Sequence, residues 1–337
     1  MQIVVTGGLG FIGSHTVVEL QNVGYEVIVI DNLSNSSIDV LDGIERITGK
    51  QPIFEKIDLR DKAAVQAFFA KYTEVTGVIH FAASKAVGES VQNPLLYYEN
   101  NIASLVYLLQ ELQKKPEAHF IFSSSCTVYG QAEMMPIAET TPIQAAMSPY
   151  GNTKQIGEEI IADVTKVSGL NAILLRYFNP IGAHPSTEIG ELPIGVPQNL
   201  VPFITQTGMG LRKELSVYGN DYPTVDGTCV RDYIHVVDLA KAHVVALQRL
   251  LDKKNETTLE VFNLGTGKGS SVLEVITAFE KVSGQKLPYT IVPRREGDVT
   301  EAYANTEKAN TVLGWKTAAT LEEAIDSAWK WEQKVRR

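Results

Sequence analysis

Thr6-Gly7-Gly8-Leu9-Gly10-Phe11-Ile12-Gly13 stands between an apolar, β-branched run at residues 2–6 and Ser14-His15-Thr16-Val17-Val18-Glu19-Leu20, which reads as a helix. The pattern is strand, tight turn, helix. Glycine serves such a turn where φ is positive, where backbone must touch a pyrophosphate, and where the helix sits close on its strand. Gly7, Gly10 and Gly13 are the candidates. The helix N-terminus then directs free N–H groups and a positive dipole end at the phosphates. Taken alone, a glycine-rich turn is equally a plain turn. Residues 26–30 read as a second buried strand ending in Asp31, whose carboxylate would accept from a ribose 2′-hydroxyl and repel a 2′-phosphate, favouring NAD over NADP. Asp31 could also cap the turn at residues 32–35, and both roles are compatible. Further strands are expected at 52–57, ending before Asp58, and at 77–83.

The 337 residues exceed what one hydrophobic core usually serves, so two lobes are expected. A net charge of −9 argues against nucleic acid or an anionic membrane as the main partner, and an anionic ligand would need a local basic pocket. The two cysteines, Cys126 and Cys229, lack metal or redox spacing, and neither a signal peptide nor an apolar run of membrane length is evident. A reduced, soluble, cytoplasmic protein is expected.

Helical runs near 38–48, 62–72 and 94–114 alternate with the strands, followed by strands at 119–122 and 172–177 around a long helix at 150–167. That alternation predicts an α/β fold, a doubly wound parallel sheet of Rossmann type with helices on both faces. A Pro- and Gly-rich loop then runs to residue 202, beyond which a smaller mixed α/β lobe is expected. The division is 1–178 for a nucleotide-binding domain and 179–337 for a ligand lobe, with 231–251 able to return to the first sheet.

Ser123-Ser124-Ser125 closes a buried strand, at the edge where open α/β sheets hold ligands. Tyr150 and Lys154 share one face of the expected helix. A tyrosine of ordinary pKa is a weak base at neutral pH; a neighbouring ammonium and the positive ring of an oxidised nicotinamide would stabilise its phenolate, three units being worth about 4 kcal/mol. Ser125 would bond the reacting oxygen or relay its proton, and Lys154 could also hold the cofactor ribose. Tyr150 and Lys154 alone read as an amphipathic pair; the glycine loop and the intervening serines favour catalysis.

With these motifs the chain resembles, over essentially its whole length, the extended short-chain dehydrogenase/reductase family, and within it the UDP-sugar 4-epimerase branch. The specific segments are Lys85-Ala86-Val87-Gly88-Glu89-Ser90, residues 122–130, Leu175-Arg176-Tyr177-Phe178-Asn179-Pro180, Gly219-Asn220-Asp221-Tyr222-Pro223-Thr224, Arg231-Asp232-Tyr233-Ile234-His235-Val236 and Arg294-Arg295-Glu296-Gly297-Asp298. Dehydratase relatives carry an Asp-Glu pair after the catalytic serine or threonine, where this chain has Cys126-Thr127.

The resemblance implies that Tyr150 takes the proton of the sugar 4-hydroxyl while the C4 hydride passes to retained NAD. A 4-keto sugar and NADH result; the sugar turns over and is reduced on its other face, interconverting UDP-galactose and UDP-glucose in galactose metabolism. It implies cofactor contacts at Gly7, Gly10, Phe11, Ile12, Gly13, Asp31, Asn32, Asn35, Asp58, Leu59, Phe81, Ala82, Lys85, Asn100, Ser125, Tyr150, Lys154, Tyr177 and Phe178. It implies UDP-sugar contacts at Ser125, Tyr150, Asn179, Asn199, Leu200, Ser216, Tyr218, Arg231, Arg295, Asp298 and Ala302, and a homodimer. Two arginines suit a diphosphate through bidentate, charge-assisted bonds. The residues alone leave Lys85 open as a solvated lysine, and Arg231-Asp232 open as an internal ion pair.

Ala302 falls where narrow-pocket members have a tyrosine, with Tyr303 one residue later. The missing ring predicts room at the sugar 2-position and acceptance of UDP-N-acetylglucosamine and UDP-N-acetylgalactosamine; a one-residue slip would restore Tyr303 to the wall. The six histidines show no metal-binding spacing, and no metal is expected. His80 reads as a core histidine, Cys126 as an inert thiol, and Glu158 and Glu159 as solvated. The stripe Leu95, Leu105, Leu108, Leu109, Leu112 reads as helix packing or a four-helix dimer seam. Two other readings stand beside the epimerase: a sugar-nucleotide dehydratase or related enzyme, and a dinucleotide sensor without chemistry, which would be expected to have lost Ser125, Tyr150 or Lys154.

Overall fold

A computed structural model describes every residue except Pro116, Glu296 and Arg337. Its main sheet contains β1 (Gln2–Thr6), β2 (Glu26–Asp31), β3 (Ile53–Lys56), β4 (Val75–His80), β5 (His119–Ser125), β6 (Asn171–Tyr177) and a last strand, Leu259–Leu264. The seven strands are parallel, ordered β3-β2-β1-β4-β5-β6 and then the last strand. Chain order reverses between β1 and β4, and that switch point opens a crevice at the carboxyl ends.

Strand alternation divides the core into two layers. Ile3, Val5, Val27 and Val29 face α1 (Phe11–Asn22), α2 (Val40–Thr48) and α9 (Val236–Leu251), whereas Val4, Ile28, Ile30, Val78 and Phe120 face α3 (Lys62–Lys71), α6 (Ser104–Leu112) and α7 (Pro149–Val167). Both faces are covered, which is why these strands read as continuous apolar runs.

The helix expected at 94–114 is interrupted. α5 (Pro94–Tyr98) follows α4 (Val87–Gln92), and a π-helical turn, Glu99–Ala103, separates α5 from α6. The extra residue of that turn rotates the apolar stripe: Leu105, Leu108, Leu109 and Leu112 are buried, while Leu95 is 79% exposed.

The second lobe packs α8 (Leu200–Gly208), α10 (Val272–Ser283) and α11 (Leu321–Val335) around Ile204, Val217, Phe279, Ile325 and Trp329. Ser271 with Glu274, and Thr320 with Glu323, form capping boxes that fix where α10 and α11 begin. Within 231–251, α9 returns to the main sheet, whereas Val230–Arg231 and Tyr233–His235 join small sheets elsewhere. The strand that completes the main sheet lies further on and pairs with β6 from Leu259↔Ala172 to Leu264↔Tyr177. Two polar residues conceal it in the sequence, and both are bonded. Arg249 Nε donates to Glu260 at 2.7 Å, and Asn263 Nδ2 donates to the Ile137 carbonyl at 2.9 Å.

Candidate active site

The glycine loop meets the end of β4 at the switch point. Gly7 has a φ of +65°, and a Cβ there would lie 2.8 Å from the Ala82 nitrogen. A Cβ on Gly13 would lie 2.2 Å from the Gly7 carbonyl oxygen, because the first turn of α1 folds back onto its own loop. Phe11, Ile12 and Gly13 open α1 with N–H groups that have no acceptor within the helix, and no side chain caps the turn. Asp31 is buried; its Oδ2 accepts from Leu9 N at 3.1 Å, and its Oδ1 accepts from Leu33 N at 2.9 Å and Ser36 Oγ at 2.8 Å. The carboxylate therefore fastens both loops beside the cradle and keeps capacity for one more donor.

Asn32 donates to Asp58 at 3.3 Å, and the Arg60 guanidinium holds the Asp58 carboxyl down at about 2. Leu59 is buried behind it, and Asn35 is exposed on the loop after β2. Phe81 N donates to the Thr6 carbonyl at 3.0 Å, and Ala82 N to Thr6 Oγ1 at 3.3 Å, so the chain beyond β4 stays against the cradle. Asn100, in the π-helical turn, donates to Ser84 Oγ at 3.0 Å. Lys85 Nζ lies 5.9 Å from the Phe11 ring centroid and 3.5 Å from Glu191 Oε1, so this lysine is engaged despite its exposure. A cradle with no space for a side chain, unpaired N–H groups and a carboxylate at the end of β2 together fit a dinucleotide. In Gly13→Ala the methyl group would displace the Gly7 carbonyl, and the purified variant is expected to carry at least about tenfold less acid-releasable nucleotide than the wild type.

Ser125 ends β5 and accepts from Thr127 N at 3.2 Å. Tyr150 lies in the first turn of α7, whose N-cap Ser148 accepts from Gly151 N at 3.1 Å. Burial pushes the Tyr150 phenol up to about 12, and the neighbouring Ser125 hydroxyl opposes that rise. Lys154 Nζ donates to the Ser123 carbonyl at 2.6 Å and stands 5.9 Å from the Tyr150 ring centroid. Burial lowers its ammonium to about 8, with the Glu158 carboxylate working the other way. Ser125 thus stands at the phenol, and the Lys154 ammonium lies below the ring with one proton given to the Ser123 carbonyl. The Tyr177 and Ser123 hydroxyls bond to each other, and Phe178 N donates to the Leu264 carbonyl at 3.2 Å.

Glu158 corrects a further expectation. It is buried rather than solvated and receives Arg176 Nε at 2.9 Å, Arg176 Nη2 at 2.5 Å and Ser124 Oγ at 2.5 Å. Arg176 sits on β6, so no local pattern along α7 signals the pairing.

On the opposite lobe, Arg231 and Arg295 converge on Asp298, at 3.7 Å and 2.8 Å. Ser216 and Tyr218 share one face of the strand Leu215–Tyr218, and the Arg295 guanidinium lies 5.6 Å from the Tyr218 ring. Asp232 is not paired with Arg231; its buried carboxylate accepts from Thr266 N and Oγ1, Gly267 N and Ala304 N. Ala302, in register with Arg231, packs on the same cluster as Cys126, next to Ser125, which brings Arg231 near the end of β5. Burial pushes the Cys126 thiol up to about 12.

Asn179 N donates to the Asp232 carbonyl at 2.9 Å, and Asn199, just before Leu200 opens α8, donates to Glu191 Oε1 at 2.7 Å. Ala302 is in register with Arg231 and packs, like Cys126, on the cluster of Val128, Tyr129, Ile137 and Phe178. Tyr303 points the other way, 3.3 Å from where a Gly269 Cβ would be. Glu296 of the arginine motif lies outside the described residues. Among the described residues, no group of three His, Cys, Asp or Glu could hold a metal ion, and no helix is long and apolar enough to cross a membrane.

The family model described as GDP-mannose 4,6 dehydratase matches residues 4–328. The chain is 51% identical over 333 residues to the UDP-glucose 4-epimerase of Bacillus subtilis, covering 98% of this chain and 97% of that one. It superposes on a UDP-glucose 4-epimerase from Stenotrophomonas maltophila, solved with NAD and formylated UDP-arabinopyranose, with a TM-score of 0.96, 47% identity and coverage of 100% and 99%. The enzyme of the same name from Bifidobacterium longum, in complex with NAD+ and UDP, gives 0.93, 47%, and 99% and 98%. With identity and fold shared over nearly full length, the chain belongs to the UDP-glucose 4-epimerase family of extended short-chain dehydrogenases/reductases.

Proposed function

We propose that the protein interconverts UDP-galactose and UDP-glucose by inverting C4, with NAD retained throughout. One observation carries this reading: Tyr150 stands beside Ser125 and one turn from Lys154, while Arg231, which meets Arg295 on Asp298, is in register with Ala302 on the cluster that also holds Cys126, next to Ser125. The loop, Asp31, Asn32, Asn35, Asp58, Phe81, Lys85, Asn100 and Tyr177 would hold the cofactor. Bound NAD supplies a reversible acceptor for the C4 hydrogen and a positively charged ring.

Every other part of the chemistry belongs to the chain. The guanidiniums hold the diphosphate bidentately, and Ser216 and Tyr218 border the uracil, so binding strength is vested in the UDP portion and the hexose is free to turn. The Tyr150 oxygen takes the 4-hydroxyl proton and later returns it, Ser125 orients that oxygen, and Lys154 holds positive charge beneath the pair. Incubation with UDP-galactose, without added NAD or metal, is followed by proton NMR. UDP-glucose should appear and settle at a fixed ratio; UDP-galactose unchanged even after NAD is supplied would refute the assignment. Against a dehydratase stands the segment after Ser125, where Cys126, its thiol held protonated by burial, and Thr127 offer no carboxylic acid.

The orientation of Ala302 supports a wide sugar pocket, because Ala302 faces the Cys126 and Phe178 side while Tyr303 faces Gly269. UDP-N-acetylgalactosamine should be epimerised, and Ala302→Tyr should cut that rate by at least about tenfold while sparing UDP-galactose. Inactivity of the wild type on the acetylated sugar would sink the idea. Homodimerisation is proposed through α4 and α5, where Val91, Leu95 and Leu96 present exposed apolar side chains beside α7. Sedimentation equilibrium distinguishes the dimer from the 37.0 kDa monomer.

A further inference from the structure

Glu191 lies in the loop between Ile181 and α8, and the sequence assigns it no role. Its backbone is held rigidly: Trp331 of α11 packs over Gly190 and donates its Nε1 to the Glu191 carbonyl at 2.8 Å. Its side chain has the opposite character. The single oxygen Oε1 receives Asn199 Nδ2 at 2.7 Å and stands 3.5 Å from Lys85 Nζ. One carboxylate on a fixed mount therefore touches a residue on the cofactor side and a residue on the substrate side.

Two features argue against a purely structural contact. A half-exposed lysine–carboxylate pair contributes little to stability, since solvent screens it. Asn199 occupies the N-cap of α8, where its oxygen would ordinarily accept from the helix, yet its side chain caps nothing. It is turned to Glu191 instead. Because a carboxylate only accepts, the amide nitrogen must face Glu191, which fixes the orientation of the whole amide and leaves its oxygen and second N–H for a ligand.

We propose that Glu191 is a positioning residue that couples the two ligand sites. With Lys85 against it, the Glu191 carboxylate holds Asn199 through a charge-assisted hydrogen bond. When Lys85 is displaced or lost, the carboxylate is freed to move and the anchorage of Asn199 loosens with it. Occupancy of the cofactor side and affinity on the substrate side are thereby linked, and the linkage is reciprocal. This inference rests on the assignment of NAD to the Lys85 side and of a UDP-sugar to the Asn199 side.

The test uses the purified holoenzyme. In the wild type, saturating UDP should slow loss of NAD, measured as nucleotide released on dilution, by about 5- to 20-fold. In Glu191→Gln, which keeps the shape and loses the charge, that ratio should fall below about twofold. KM for UDP-galactose should rise about 5- to 20-fold, with kcat changed less than about threefold. Lys85→Met combined with Glu191→Gln should couple no worse than either alone. A merely structural role would weaken NAD and UDP binding separately and leave the ratio standing. Wild-type conversion of UDP-galactose together with an unaltered ratio and KM in Glu191→Gln overturns the coupling alone. A wild type that does not convert UDP-galactose overturns the assignment and the coupling with it.

Discussion

Tyr150→Phe is expected to lower kcat for UDP-galactose by about 10²- to 10⁴-fold while NAD stays bound and KM holds. The phenol hydroxyl stands beside that of Ser125 on a half-buried ring, so the phenylalanine ring refits the same space and only the proton-carrying oxygen is lost. The residues of the chain alone do not poise the site for that proton. With the phenol at about 12 and Lys154 turned to the Ser123 carbonyl, bringing Tyr150 to neutral pH would take about 7 kcal/mol. Ligand binding must supply that difference. Stripped of NAD, the protein should accordingly show no tyrosinate absorbance from Tyr150 up to pH 10. Turnover of Tyr150→Phe within tenfold of the wild type would move the base elsewhere.

Acid should unfold this protein earlier than its carboxylates require. His15, His80 and His243 are buried and bonded through Nδ1 to the Phe11 carbonyl, Thr6 Oγ1 and the Leu239 carbonyl. Burial lowers His15 and His80 to about 3 and His243 to about 4. The sign follows from linkage. Above pH 6.5 both states are neutral at these rings and nothing is lost; as pH falls from 6.5 towards 4, the unfolded chain takes up three protons that the folded chain refuses. Each proton contributes a slope of about 1.4 kcal/mol per pH unit, so the three lower stability by about 6 kcal/mol at pH 5 relative to pH 7.5. That is comparable with the whole stability of a typical domain. Urea titrations at pH 7.5, 6.0 and 5.0 measure it, and His243→Gln should reduce the acid slope by one proton. A stability unchanged down to pH 5 would show that these rings protonate in place.

What could be read from the chain followed the range of the forces involved. β1, β2 and β5 are legible because burial on both faces leaves unbroken apolar runs, and the glycine loop because no other residue tolerates its geometry. Glu158 and Glu260 were opaque: each is a carboxylate whose guanidinium partner comes from another element, Arg176 and Arg249. The π-helical turn at Glu99–Ala103 differs from an α-helix by one residue, which periodicity over a short window does not resolve. Glu191 sits in a polar loop whose only distinction is what folding brings to it. The direction of the Lys154 ammonium is a choice of rotamer against the Ser123 carbonyl, and helical spacing is silent on it.

The late arrival of Leu259–Leu264 bears on how the protein is made. β6 emerges from the ribosome with one edge unpaired, and its neighbour follows only after roughly eighty more residues, about 4–16 s of translation. During that interval a strand edge built for a parallel partner is open to any other chain nearby. The main sheet therefore cannot close until synthesis has passed Leu264, well into the second half of the chain, and its completion waits on residues far beyond the glycine loop.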